Sequence, residues 1–116
     1  KVKRLVIDSS TILRLFYKSD IEFRKNFFNL LDTLNKAGCT TFITGELHTS
    51  ERAGITFGVE EFLVDGIIML YNLEIKNKRV NALEVMKMRS MDHKKNVVPF
   101  RITSAGVKVF AKETIF

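Results

Sequence analysis

The rhythm of apolar and polar positions along this chain changes from stretch to stretch. A short continuous run, Leu5, Val6 and Ile7, ends in Asp8, the pattern of a strand buried on both faces of a parallel sheet with a carboxylate at its carboxyl end. Ser9 and Ser10 can then cap a short helix reaching Leu15. Ser19 or Asp20 can cap a longer one from Ile21 to about Ala37. In that segment Phe23, Phe27, Leu30, Leu31 and Leu34 recur at helical spacing, while Arg24, Lys25, Asn29, Asp32 and Lys36 take the other side, which predicts an amphipathic crossover helix. Gly38 stands where a left-handed residue ends such a helix, and Thr40 to Thr44 reads as the next short β-branched strand. These elements form one β-α-β unit, right-handed by rule.

After Gly45 the character changes. Glu46 to Phe57 is polar, with His48, Glu51 and Arg52, and reads as a functional or mobile loop. A helical patch follows at Val59 to Val64, and then strand upon strand: Gly66 to Leu73, Val80 to Arg89, Val98 to Thr103 and Val107 to Phe110. Asn77 marks the first turn, and Gly106, after Ser104 and Ala105, can supply the positive φ of a hairpin bulge in the last. Pro99 opens or interrupts a strand and suggests an edge. The expected fold class is α/β, a parallel β-α-β unit followed by antiparallel strands.

Composition narrows this picture. The 116 residues are one domain's worth, and 46% hydrophobic content is enough for a core. Cys39 is the single cysteine, so no internal disulfide forms, and no apolar run is long enough to span a bilayer. The expectation is a reducing, cytoplasmic setting with no membrane partner. The formal charge of +6 comes from 19 basic and 13 acidic residues, with much of the excess between Lys76 and Lys112. Such asymmetry favours a polyanionic partner, nucleotide phosphates or nucleic acid, over an ordinary solvated basic surface.

Two segments carry candidate chemistry. Arg4 to Ser10, RLVIDSS, places Asp8 at the end of a strand where α/β sheets bind ligands and where a magnesium-coordinating carboxylate is usual; the plainer reading is an Asp that caps the next helix. Leu83 to Lys95, LEVMKMRSMDHKK, places Lys87 and Arg89 two apart on one strand, hence on one face, with Asp92 and His93 just beyond. Two cations aimed at one point suit phosphoryl transfer; a solvated strand end is the plainer account. No G-x-x-x-x-G-K-[ST] phosphate loop occurs in the chain. His48 has no second ligand at zinc spacing, the four methionines read as core filler, and the phenylalanines read as packing.

RLVIDSSTILRLF, TTFITGE, FGVEEFLVDGIIML and LEVMKMRSMDHKKNVVPFRITSAGVKVF, in that order, resemble the carboxyl-terminal half of a KaiC-type ATPase domain of the RecA-like superfamily. The resemblance runs over nearly the whole chain, and GVEEF with the K-x-R-x-x-D-H stretch is its most specific part. It implies ATP and Mg²⁺ as cofactors and a ring of like subunits, usually a hexamer, with nucleotide held between neighbours. Asp8 then resembles the Walker B aspartate on the magnesium side. Thr44 and Glu46 stand where such proteins put a polar residue that senses the γ-phosphate or the attacking water. Lys87, Arg89 and His93, with Asp92 beside them and Met88 through its backbone, would contact the nucleotide of the adjacent subunit. The segment Leu47 to Thr56 corresponds to the part facing the central channel of such rings.

One departure stands out: Ser90 and Met91 replace the Gly followed by Thr or Ser that relatives commonly carry, which puts a tight turn and a hydroxyl contact in question. The chain reads as the carboxyl-terminal part of a single RecA-like domain, beginning inside it; without the phosphate loop and the catalytic glutamates that the resemblance implies after it, the chain is not expected to hydrolyse ATP alone. Two other readings are a noncatalytic ring-forming module and a DNA-binding recombinase relative, nucleic acid being the less favoured partner. Without a central phosphate-loop strand, the sheet is expected to break between Thr40–Thr44 and Gly66–Leu73, leaving Ile43, Ile67 and Met69 short of cover. The chain is then expected to close the sheet in a different register, to recruit a strand from a second copy as a swapped or augmented dimer, or to be seen only as the ordered or excised part of a longer protein.

Overall fold

A computed structural model describes residues 1–47 and 58–116. The chain divides into two units, Lys1–Val64 and Asp65–Phe116.

The first unit pairs β1 (Arg4–Asp8) with β2 (Thr40–Thr44) in parallel, Asp8 opposite Thr44. Between them run α1 (Ser10–Arg14) and α2 (Asp20–Lys36). Both helix starts use the caps read from the sequence: Ser9 accepts from Ile12 N–H and Ser19 from Glu22 N–H. The end of α2 is closed by Gly38 at φ +66, with Gly38 N–H donating to Asn35 and Cys39 N–H to Leu34, the paired bonds of a Schellman motif. Thr40 N–H then reaches Lys3 C=O and begins the parallel ladder. Phe23 and Phe27 are the buried pair of α2, 1% and 2% exposed, with ring centroids 5.2 Å apart. Arg14 lies 5.5 Å over the Phe23 ring and pairs with Asp20 at 2.7 Å and Glu60 at 3.4 Å. It thereby ties α1 and α2 to α3 (Val59–Leu63). The hydrogen bond to Asp20, followed by the field of Glu60, raises the Arg14 pKa against the opposing pull of burial.

One expectation fails in this unit. β1 is not covered on both faces: Val6 is 69% exposed, and its register partner Phe42 is 65% exposed. Leu5, Ile7 and Ile43 take the half-buried side. The sequence run is continuous because nothing polar interrupts it, and continuity alone cannot say which face has a neighbour.

The second unit is a four-stranded antiparallel sheet in the order β3 (Gly66–Ile75), β4 (Lys78–Met88), β5 (Val98–Thr103), β6 (Gly106–Val109). β3 and β4 form a long hairpin whose two-residue turn, Lys76 and Asn77, has φ of +49 and +61, the type I′ geometry that matches strand twist. In the last hairpin Gly106 takes φ +113 opposite Thr103, and the Thr103 hydroxyl donates to Gly106 C=O. Met69, Ala82, Val97 and Val98 are buried, whereas Ile68 and Leu70 are exposed. Of the residues expected to lose cover, Ile43 and Ile67 are half-buried and Met69 is buried, whereas Val6, Phe42, Ile68 and Leu70, on the opposite faces of their strands, are exposed.

Pro99 does not mark an edge, because β5 lies between β4 and β6. It sits where pairing passes from one neighbour to the other: β4 pairs with Val98 and Pro99, β6 with Phe100 to Thr103. A residue without an N–H is tolerated at such a junction near the strand's start, and its carbonyl still accepts from Phe110 N–H at 2.9 Å.

Candidate functional site

The carboxyl ends of β1 and β2 bring three of the sequence candidates together. Asp8 and Thr44 are register partners, and the Thr44 hydroxyl donates to Asp8 Oδ1 at 2.5 Å. The Asp8–Ser9 peptide is cis. Glu46 follows two residues after Thr44, its N–H donating to Thr11 Oγ1 at 3.1 Å, which holds the departing chain against α1. Between them Gly45 passes so close to the buried Ser10 that a Cβ there would lie 3.0 Å from Ser10 Oγ. A side chain at position 45 would push the strand end away from the helix start. Asp8, Thr44 and Glu46 are all exposed, so this corner offers a carboxylate, a hydroxyl and a second carboxyl group to an outside ligand. Among the described residues no three His, Cys, Asp or Glu side chains gather as a metal cage. So small a set of carboxylates beside a hydroxyl suits Mg²⁺, which binds oxygen, keeps several waters, and takes one or two carboxylates plus substrate phosphates.

The basic strand end lies in the second unit. β4 runs to Met88 rather than Arg89. A bulge intervenes: Ile67 opposes Lys87 and Ile68 opposes Val85, so Met86 is the extra residue. The bulge resets the alternation and puts Lys87 on the face of Ile67, where Met69 and Glu84 also lie as a register pair. Glu84 is 3% exposed and accepts from Tyr71 Oη at 2.5 Å. Lys87 and Met88 are half-buried.

Arg89 has left the strand. Its N–H donates to Asp65 C=O at 2.7 Å, and Nη1 reaches Asp65 Oδ1 at 2.9 Å, with both side chains more than half exposed. Ser90 follows at φ +63, so the tight turn that a glycine would make is made by serine. Beyond it Asp92 is exposed, and His93, half-buried, has Nδ1 3.2 Å from Lys94 C=O. Met91 is 63% exposed, which removes it from the core-filling methionines. Lys94 Nζ donates to Ala111 C=O and ties this segment to the chain after β6.

Asp65, the bulge at Met86 and the bond from half-buried Tyr71 to buried Glu84 were not foreseen from the sequence. Asp65 carried a findable signal: a two-residue turn at Lys76 and Asn77 fixes the hairpin register and brings the start of β3 to the end of β4. The bulge has no compositional mark. His48, Glu51, Arg52 and the rest of the polar segment from 48 to 57 lie outside the described residues.

A family model described as "ATPase: KaiC" matches residues 1–114. The circadian clock oscillator protein KaiC of Parathermosynechococcus lividus is 37% identical over 111 residues, covering 95% of this chain and 20% of its own length. The protein of the same description from Prochlorococcus marinus is 35% identical over 111 residues, with 96% and 22% covered. That of Synechococcus elongatus is 33% identical over 110 residues, with 95% and 21% covered. The chain thus spans about a fifth of the length of these relatives.

Proposed function

The chain belongs to the KaiC ATPase family, and on that premise we propose that it works as part of an ATPase that binds and hydrolyses ATP where neighbouring subunits of a ring meet. Its fold, a parallel β-α-β unit followed by antiparallel strands, is that of part of a RecA-like domain. The chain is the carboxyl-terminal part of one such domain, and the phosphate loop belongs to the remainder of the protein. The observation that carries this reading is the family match over residues 1–114.

Within it, Asp8 stands on the magnesium side, supported by its place at the end of β1 and by the Thr44 hydroxyl upon it. When bound, Mg²⁺ would neutralise charge on the β- and γ-phosphates. Thr44 orients the Asp8 carboxylate, and Glu46 faces the γ-phosphate or the attacking water. Arg89 and Lys87 supply positive charge to the nucleotide held by the next subunit, with His93, Asp92 and the Met88 backbone lining that contact. Self-association follows, because the two halves of each site come from different copies.

The test is subunit mixing. Arg89→Ala in the full-length protein is expected to abolish ATP turnover while its own phosphate loop still binds nucleotide. Mixed under subunit exchange with a phosphate-loop-defective partner, it should regain some activity. Two defective proteins that never complement each other would remove the trans assignment.

A further inference from the structure

Asp65 opens the second unit one residue before β3 and has no part in the chemistry outlined above. It nevertheless holds Arg89 twice. Its carbonyl takes the Arg89 N–H at 2.7 Å, which extends the hairpin ladder past Gly66 and Met88, and its Oδ1 takes Arg89 Nη1 at 2.9 Å. Ser90, at φ +63, turns the chain sharply away at once. The backbone of Arg89 is thus fixed from both sides, and the carboxylate fixes the guanidinium.

The ion pair adds little to stability, since its side chains are 52% and 65% exposed and water screens such contacts. Orientation is another matter. A free arginine at a strand end samples many rotamers, and a group that must meet a phosphate in one geometry reacts faster if that freedom is already lost. The contact to Asp65 engages one nitrogen, and among the described residues the guanidinium has no other partner. Nε and Nη2 remain available to phosphate oxygens while Asp65 keeps its hold.

We propose that Asp65 is a positioning residue for Arg89, holding its guanidinium ready for the phosphates of a nucleotide bound by a neighbouring copy. This rests on the trans reading of Arg89. Asp65 acts through that arginine and touches no substrate.

The experiment compares ATP turnover of the full-length protein with that of its Asp65→Asn, Asp65→Glu, Arg89→Ala and Asp65→Asn/Arg89→Ala variants, each checked for ring assembly by size. Asn keeps the backbone carbonyl and removes the charge. Asp65→Asn is expected to lower kcat about threefold through lost preorganisation, the size an exposed ion pair can supply, with KM for ATP unchanged, because ground-state binding is untouched. Asp65→Glu should recover part of the loss, and the double variant should be no worse than Arg89→Ala alone. Unchanged or faster turnover in Asp65→Asn, beside an inactive Arg89→Ala, would overturn the proposal while leaving the trans reading intact. A double variant clearly worse than Arg89→Ala would overturn it too, since Asp65 would then act elsewhere. Full turnover in Arg89→Ala would instead remove the trans reading, and this inference with it.

Discussion

Thr44 donates its hydroxyl to the Asp8 carboxylate at 2.5 Å across the ends of two parallel strands. Paired ends of this kind are where α/β sheets hold ligands. Among the described residues the bond occupies one Asp8 oxygen and leaves the other acceptor directions open, as the magnesium-side role proposed for it requires. Asp8→Asn preserves the shape and removes the charge. Turnover of the full-length protein should fall roughly a hundredfold or more, since a metal-side charge contributes several kcal/mol. Thr44→Val should cost less, by leaving a charged but less well oriented Asp8. Equal turnover in Asp8→Asn and the parent protein, across a magnesium titration, would remove Asp8 from the metal side.

The turn after Arg89 gives a prediction of opposite sign. Ser90 holds φ +63, a conformation that glycine adopts freely and serine adopts at a cost of about 1–2 kcal/mol. Glycine also gains freedom in the unfolded chain, which offsets part of the relief. Ser90→Gly is therefore expected to raise stability by about 0.5–1 kcal/mol in urea melts. A loss of stability would mean that the Ser90 side chain makes a contact worth more than the strain.

Much of this architecture was legible in the sequence because local chemistry dictates it. Ser9 and Ser19 cap the helices they precede, Gly38 and Gly106 take the positive φ that only glycine adopts cheaply, and Asn77 lies in the turn read for it. The pairing of Asp8 with Thr44 was foreseeable only as two neighbouring strand ends; the hydrogen bond follows from the parallel register. What escaped depends on partners distant in sequence. The exposure of Val6 and Phe42 reflects which face has a neighbour, and the inner place of Pro99 reflects how β5 changes partners. The bulge at Met86, which moves Lys87 onto the face of Glu84, leaves no trace in the pattern of apolar residues.

Phe23 and Arg14 separate packing from charge in the first unit. Phe23 is 1% exposed and stacks on Phe27, so Phe23→Ala should destabilise by about 3–5 kcal/mol through lost transfer energy and a cavity. Arg14 contributes partly exposed ion pairs and one ring contact. Arg14→Ala should cost only about 1 kcal/mol. The Arg14 pKa is raised above its ordinary value, chiefly by the hydrogen bond to Asp20. A raised cation stabilises wherever it is charged in both states and loses that contribution only as pH climbs through its folded pKa. The difference between parent and Arg14→Ala should therefore stay flat from about pH 7 to about pH 10. Denaturant midpoints at several pH values measure both effects, and a difference that shrinks over this range would contradict the assignment.

The basic face of the last hairpin bears on whether nucleic acid is a partner. Arg101 and Lys108 are direct register partners, and each lies 5.4 Å from the Phe110 ring. Like charges facing each other across strands repel, and the ring between them relieves part of that cost. Polyanions would relieve it further, so some affinity for single-stranded DNA at low salt follows from charge alone, with a net +6 on the chain. A recombinase relative would need more than this, namely binding that survives physiological salt through many phosphate contacts. The nucleotide-binding reading predicts retention of an oligonucleotide on filters only at low salt, lost by about 150 mM. It also predicts that Arg101→Ala/Lys108→Ala weakens that retention without changing ATP turnover. Retention that persists at physiological salt would favour the recombinase reading, and no retention even at low salt would eliminate it.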